Sequence, residues 1–170
     1  IYRGHHGKIA CDQFHRYEED AALMAELGIQ AYRFSISWPR VMPTGRGQVN
    51  QAGLDYYDRL VDALLAKGVA PYATLFHWDF PLALYLEGGW MNPDVHEFFG
   101  DYTKAVVEKL SDRVTGWMTL NEPQVFLSMG HLTGEHAPGA KLGWPEFGSA
   151  LKGTLKSHGR AVETIRAHAK

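Results

Sequence analysis

The segment Trp117-Met118-Thr119-Leu120-Asn121-Glu122-Pro123 carries the clearest architectural signal in this chain. An apolar, β-favouring run ends there in an amide, a carboxylate and a proline. Because proline favours extended geometry in the residue before it, we expect Glu122 to lie extended at the last position of a strand, with Asn121 beside it. Alone, this pattern is a weak signal, so its meaning depends on the rest of the chain.

Two further strand patterns occur upstream of this segment. Residues 30–37 alternate in polarity, residues 69–76 form a near-continuous apolar run, and the third strand is predicted over 114–120. Each predicted strand ends in polar and aromatic residues, namely Ser37-Trp38, His77-Trp78-Asp79 and Asn121-Glu122. The repetition predicts one polar, aromatic-rich edge where all three strands end.

Helical patterns separate these strands. Apolar residues recur at helical spacing over residues 17–27, and Asn50 is a predicted N-cap for a second helix that Gly68 ends. Asn92 and Pro93 resemble the N-cap and first turn of a third helix, which runs to about Leu110. The prolines and glycines of residues 39–47 indicate a long loop, and a last helix opens near Pro145. Alternating helices and strands predict a parallel α/β sheet with right-handed crossovers.

A doubly wound sheet and a βα barrel both fit this order of elements. No predicted strand is followed by a glycine-rich phosphate turn, whereas all three end in polar and aromatic residues, which favours the barrel. A complete barrel needs about 250 residues, so these 170 residues predict a single domain that forms part of one. The two open sheet edges predict self-association or a homo-oligomer.

Composition excludes several classes of function. The net charge of −2 gives no indication of nucleic-acid binding, and no apolar run reaches the length of a membrane span. Cys11 is the only cysteine, which predicts a packing role for it and favours the cytoplasm. The chain begins at Ile1 without a methionine, so we expect an incomplete or excised piece, and a lost signal peptide stays open.

The predicted strand ends together offer the groups that a sugar site needs. Glu122 can supply a proton, and the side chains of Asn121, His77 and Asp79 can bind hydroxyl groups. Flat apolar surfaces for a sugar ring are available from Trp38, Trp78 and Trp90. A neutral, hydroxyl-rich ligand also agrees with the lack of a basic patch.

On these residues the chain resembles glycoside hydrolase family 1, the β-glucosidase family. The matching motifs occur in the family's order and cover essentially all 170 residues: Asp12-Gln13-Phe14-His15-Arg16-Tyr17, Tyr32-Arg33-Phe34-Ser35-Ile36-Ser37-Trp38-Pro39-Arg40, Phe76-His77-Trp78-Asp79, Gly88-Gly89-Trp90, Thr119-Leu120-Asn121-Glu122-Pro123 and His136-Ala137-Pro138-Gly139.

The resemblance implies a (β/α)8 barrel and retaining hydrolysis of β-linked glucosides or related oligosaccharides, with no cofactor. By motif, Glu122 corresponds to the general acid/base and Asn121 to the residue that contacts the sugar 2-hydroxyl. His77 corresponds to a sugar ligand with Trp78 beside it, and Arg33 to the arginine that orients the nucleophilic glutamate.

The chain also departs from the family pattern. It has no Glu-Asn-Gly motif, which carries the family's nucleophile on a late strand. The resemblance therefore covers the second to fourth βα units and the preceding helix, without the first strand and the C-terminal half of the barrel. We expect activity from a full-length parent and none from these 170 residues alone.

Other interpretations stay open at this point. A 6-phospho-β-glycosidase and a non-catalytic sugar-binding or half-barrel module are the alternative functions. A buried structural ion pair is the alternative for Arg33, Trp38 and Trp90 could serve pocket or core, and Asp79 is expected to be structural. No metal site is predicted, because there is no His-Glu-x-x-His motif and the remaining histidines, among them His5, lack ligand spacing.

Overall fold

The computed structural model describes residues 2–4, 6–7 and 9–170. His5 lies outside the described residues, so the expectation for its side chain is not addressed. Within the described residues, three strands and seven α-helices follow one another as α1 (Gln13–Glu26), β1 (Ala31–Ser35), α2 (Trp38–Val41), α3 (Gln51–Ala66), β2 (Ala70–Phe76), α4 (Leu82–Leu86), α5 (Val95–Leu110), β3 (Gly116–Leu120), α6 (Pro123–Leu127) and α7 (Trp144–His168). Short 3-10 turns occupy Tyr2–Gly4 and Gly89–Met91, and a π-helical turn occupies Ser128–Leu132.

The three strands form one parallel sheet in the order β1-β2-β3. Arg33 pairs with Tyr72 across β1 and β2, and Phe76 pairs with Leu120 across β2 and β3. All three carboxyl ends consequently meet at one edge of the sheet. The strands lie inside the predicted ranges 30–37, 69–76 and 114–120 and are shorter at their ends.

The apolar faces of α3 and α5 cover the sheet, with Leu60, Leu64, Val106 and Leu110 each no more than 2% exposed. Asp58 on α3 accepts hydrogen bonds from Lys109 on α5 and from Arg113, which follows α5. Partial burial alone would raise the pKa of Asp58, but these two bonds outweigh it and lower the pKa. The ion pairs therefore link α3 to the end of α5.

Helix α7 packs against α5 and against the turn that carries Trp90. Gly153 makes the second contact possible, because a Cβ atom at this position would lie 2.0 Å from the Trp90 carbonyl oxygen. Trp90 itself is 3% exposed. The backbone of α7 thus lies directly against the turn that carries Trp90. None of the helices in the described part of the chain is long and apolar enough to cross a membrane.

The prediction for Glu122 was wrong in backbone geometry. Strand β3 ends at Leu120, and Glu122 lies in the left-handed region with φ 47° and ψ 60°. Its carbonyl oxygen accepts a hydrogen bond from the Val125 N–H, 2.9 Å away, and so starts α6. Because helix α6 begins at Pro123, Glu122 adopts a left-handed N-cap conformation and not the extended one that a residue before proline prefers.

Two smaller predictions also need correction. Asp94 occupies the N-cap position of α5, and Asn92 accepts a hydrogen bond from the Asp94 N–H at 2.9 Å, as in a turn. The segment predicted as a long loop begins with the helical turn α2 over Trp38–Val41. Short helices of this kind carry too few residues for a periodic apolar pattern.

Candidate active site

The side-chain amide of Asn121 lies among the polar residues at the edge of the sheet where the three strands end, and it contacts two of them. Asn121 follows β3 directly and is 8% exposed, and its N–H donates to the Phe76 carbonyl oxygen on β2 at 2.9 Å. This bond continues the sheet ladder by one residue. The Asn121 backbone is thereby held against the end of β2.

A hydrogen-bonded chain joins all three strands through this amide. Arg33 Nη2 on β1 donates to Asn121 Oδ1 at 3.0 Å. Because a guanidinium group only donates, Oδ1 must face Arg33, and Nδ2 then faces His77 Nε2 at 3.2 Å. An amide nitrogen donates, so His77 Nε2 accepts, and a neutral His77 ring carries its proton on Nδ1.

Trp78 is fixed to the same residue by a second contact. Its indole N–H donates to the backbone carbonyl oxygen of Asn121 at 3.0 Å. The Trp78 ring lies 5.6 Å from the His77 ring and 5.5 Å from the His136 ring, measured between centroids. The backbone of Trp78 has φ 83°, a rare and strained value for a residue with a side chain.

Glu122 follows Asn121 directly and is exposed, beside the hydrogen bonds that join Arg33, Asn121 and His77. Its carboxylate makes no hydrogen bond or ion pair within the described residues 2–4, 6–7 and 9–170. Positive φ values at both Trp78 and Glu122 place two strained residues at neighbouring strand ends. Strain of this kind occurs preferentially at functional sites.

The structure brings together the five residues that the sequence singled out, namely Arg33, His77, Trp78, Asn121 and Glu122. Arg33 is exposed, and its hydrogen-bond partner is the neutral side-chain amide of Asn121. Within the described residues, Arg33 therefore does not form the buried ion pair that was considered for it. Trp38 is fully buried and donates to the Gly45 carbonyl oxygen at 3.1 Å, which assigns it to the core.

Sequence reasoning missed two further groups. The backbone carbonyl of Asn121 accepts a hydrogen bond from Trp78, and a backbone group has no sequence signal that could have predicted this contact. His136 contacts Trp78, and its only signal was its place in the His136-Ala137-Pro138-Gly139 motif, where no role was assigned to it. Asp79, expected to be structural, lies exposed beyond the end of β2.

The sequence profile described as glycosyl hydrolase family 1 matches residues 1–170. The chain belongs to this family, and its three-stranded sheet is part of a (β/α)8 barrel, which confirms the predicted fold class.

Among similar proteins, β-glucosidase A of Thermotoga maritima is 47% identical over 166 residues, which cover 98% of this chain and 37% of that protein. Thermostable β-glucosidase B of Thermobispora bispora is 54% identical over 169 residues, covering 99% of this chain and 35% of that protein. The solved structure of the Thermotoga maritima β-glucosidase in complex with glucoimidazole superimposes with a TM-score of 0.96 at 46% identity, over 100% of this chain and 38% of that one. The chain thus spans little more than a third of the length of these relatives.

Proposed function

We propose that the protein carrying this chain is a retaining β-glucosidase in which Glu122 is the general acid/base. The observation that carries the proposal is the hydrogen-bonded chain from Arg33 through Asn121 to His77, directly beside Glu122. It joins three strand ends of a barrel at the position where barrels perform their chemistry. The names of the similar proteins, all β-glucosidases or glucan glucohydrolases, favour a β-linked glucoside as substrate.

The mechanism needs two carboxyl groups about 5–5.5 Å apart. One carboxylate attacks the anomeric carbon and forms a covalent glycosyl-enzyme, while Glu122 protonates the departing glycosidic oxygen. In the second step Glu122 removes a proton from water, which attacks the same carbon and releases the sugar with retained configuration. The attacking carboxylate comes from a part of the barrel beyond these 170 residues.

The other site residues bind and orient. Asn121 and His77 hold hydroxyl groups of the sugar, and Trp78 lies beside His77. Arg33 uses Nη2 for Asn121, so its other N–H groups are the ones that orient the nucleophilic carboxylate. Since His77 Nε2 accepts from Asn121, its Nδ1–H is the donor left for a ligand.

We propose further that residues 1–170 form a single domain unit, the second to fourth βα units of the barrel with the preceding helix. The first strand and the C-terminal half belong to the rest of the protein. Cys11 is an exposed thiol, so the packing role predicted for it was wrong. A cytoplasmic location agrees with its being the only cysteine of the chain. Association of copies through the open sheet edges is part of the same proposal.

The test compares Glu122→Gln with wild type in the full-length protein. Glutamine cannot donate a proton, so hydrolysis of an alkyl β-glucoside should fall by about a thousandfold or more, in the range of a lost general acid. A dinitrophenyl β-glucoside needs no protonation, so formation of its glycosyl-enzyme should slow far less. The matched control is Glu163→Gln, an exposed carboxylate on α7, which should leave both rates unchanged.

Equal losses on the two substrates would remove Glu122 from the acid role. The same assay with a 6-phospho-β-glucoside tests the alternative specificity, since preferential cleavage of that substrate would replace the proposed one.

A further inference from the structure

A cavity of about 340 Å³ lies beside the candidate active site, between the segment that follows β2 and the helix that follows β3. Its wall is largely aromatic, and its main lining side chains are Phe76, Trp78, Phe80, Tyr85, Trp90 and Phe126. Leu82 and Pro138 are exposed residues on its border, so the cavity opens to the outside. The volume falls within the range of small-molecule pockets, about 300–1,000 Å³.

The aromatic wall presents both ring faces and ring edges. The rings of Phe76 and Trp90 meet edge-on with centroids 5.0 Å apart, whereas Trp90 and Phe126 stack at 5.5 Å with an interplanar angle of 23°. Such a wall favours an aromatic ligand, which can pack against faces and edges alike. No Asp, Glu, Lys or Arg is among the lining residues, so a charged ligand would find no partner there.

His131 supplies a directed polar group in this apolar surrounding. It lies in the π-helical turn Ser128–Leu132 and is 7% exposed. Its Nδ1 lies 3.0 Å from the Phe126 carbonyl oxygen. Because a carbonyl oxygen only accepts, Nδ1 carries the proton. Burial lowers the pKa of His131, which favours the neutral ring and leaves Nε2 as a hydrogen-bond acceptor.

The Nε2 atom is accessible to a ligand. It has no hydrogen-bond partner among the described residues, and it is not one of the buried polar atoms that are sealed from solvent without a partner. His131 borders the cavity and also an adjoining one of about 290 Å³, and both spaces share Tyr85, Gly89 and Trp90. His131 thus lies at the wall that the two cavities share.

We propose that this cavity binds a small aromatic alcohol, whose ring packs against the aromatic wall and whose hydroxyl group donates a hydrogen bond to His131 Nε2. The site is distinct from the proposed glycoside site, because Arg33, His77, Asn121 and Glu122 do not line it. Trp78 alone takes part in both, since its ring borders the cavity and its N–H binds the Asn121 carbonyl.

The test is direct binding to the full gene product that carries this chain, measured by titration calorimetry with 2-naphthol and with 2-methoxynaphthalene. The two compounds share a fused ring, but only 2-naphthol has a hydroxyl donor. We expect 2-naphthol to bind about tenfold more tightly, as one hydrogen bond to a buried acceptor requires. His131→Phe should remove this difference, whereas the matched control His15→Phe, on an exposed helix surface, should keep it.

Four results would overturn the proposal: no binding of 2-naphthol, equal affinity for the two compounds in the wild-type protein, displacement of 2-naphthol by saturating glucose, or an undiminished difference in affinity in a folded His131→Phe protein. The comparison of ligands needs no variant, so a misfolded His131→Phe protein would not obscure the answer. The readout is heat of binding, so the result is independent of whether the protein hydrolyses glucosides.

Discussion

At the scale of single residues, Asn121 organises the candidate site. Its Oδ1, Nδ2, N–H and carbonyl oxygen contact Arg33, His77, Phe76 and Trp78 respectively. Because each of these four groups has a different partner, the orientation of the Asn121 amide follows from the chemistry of its neighbours. A sequence shows the neighbouring Asn-Glu pair but cannot show this distribution of bonds.

The His77→Ala substitution tests the proposed role of His77 in binding the sugar. We expect kcat/KM for a β-glucoside to fall by an amount equivalent to about 2–4 kcal/mol, because a desolvated hydrogen bond to the sugar is lost. The measurement is steady-state kinetics on the full-length protein with circular dichroism as a check of folding. His15→Ala, at an exposed histidine whose side chain contacts Asp12 and Phe14, is the control and should have wild-type kinetics. An unchanged kcat/KM in a folded His77→Ala protein would leave His77 a structural residue.

At the scale of secondary-structure elements, the long units were predictable and the short ones were not. Strand β2 is a near-continuous apolar run, and helices α3 and α5 are long enough for apolar residues to recur at helical spacing. Their predicted ranges therefore agree with the structure to within a few residues. The single-turn helices α2, α4 and α6 have four or five residues each and no such pattern. The left-handed geometry of Glu122 was missed for the same reason, since it depends on where α6 begins.

The proximity of the candidate site residues was predictable because their positions follow from the ends of the long elements. A parallel sheet brings its strand ends together, so Asn121 and His77 had to be neighbours once the strands were placed. The cavity beside Trp78 was not predictable, because its wall combines residues from separate loops and from a π-helical turn.

The contact between α7 and Trp90 yields a prediction about an element. Gly153→Ala should destabilise the protein by about 1–3 kcal/mol, because the added Cβ meets the Trp90 carbonyl oxygen and forces the helix outward. Gly159→Ala, in the same helix with no atom near its Cβ position, should instead stabilise it by about 0.5–1 kcal/mol. Urea denaturation of the two variants provides the measurement. A neutral effect at Gly153 would contradict the close approach of α7 to the Trp90 carbonyl oxygen.

At the scale of the whole molecule, the chain presents surfaces that a closed barrel would cover. Strand β3 is half-exposed along its entire length, and Leu151 and Leu155 on α7 are 40% and 58% exposed. Unpaired parallel edges and exposed leucines favour association with other polypeptide.

We therefore expect the 170 residues alone to self-associate and to leave a chromogenic β-glucoside uncleaved, since no Glu-Asn-Gly motif occurs in them and the proposed nucleophile lies elsewhere in the protein. Sedimentation analysis and an assay of the purified chain are the measurements, and addition of the remaining part of the barrel should restore turnover. Turnover by the chain alone, with contaminating enzyme excluded, would contradict the proposal that the nucleophilic carboxylate lies outside these 170 residues while Glu122 lies within them.

The most direct test of the central claim is azide rescue of Glu122→Ala in the full-length protein, with a dinitrophenyl β-glucoside as substrate. The activated leaving group allows the covalent intermediate to form, but the intermediate then lacks a general base for water. Azide needs no base and fits the space that the carboxylate leaves. We predict that azide restores turnover and that the product is β-glucosyl azide, as identified by NMR from its anomeric coupling. Failure of azide to restore turnover, or formation of α-glucosyl azide, would contradict the assignment of Glu122 as the acid/base of a retaining enzyme.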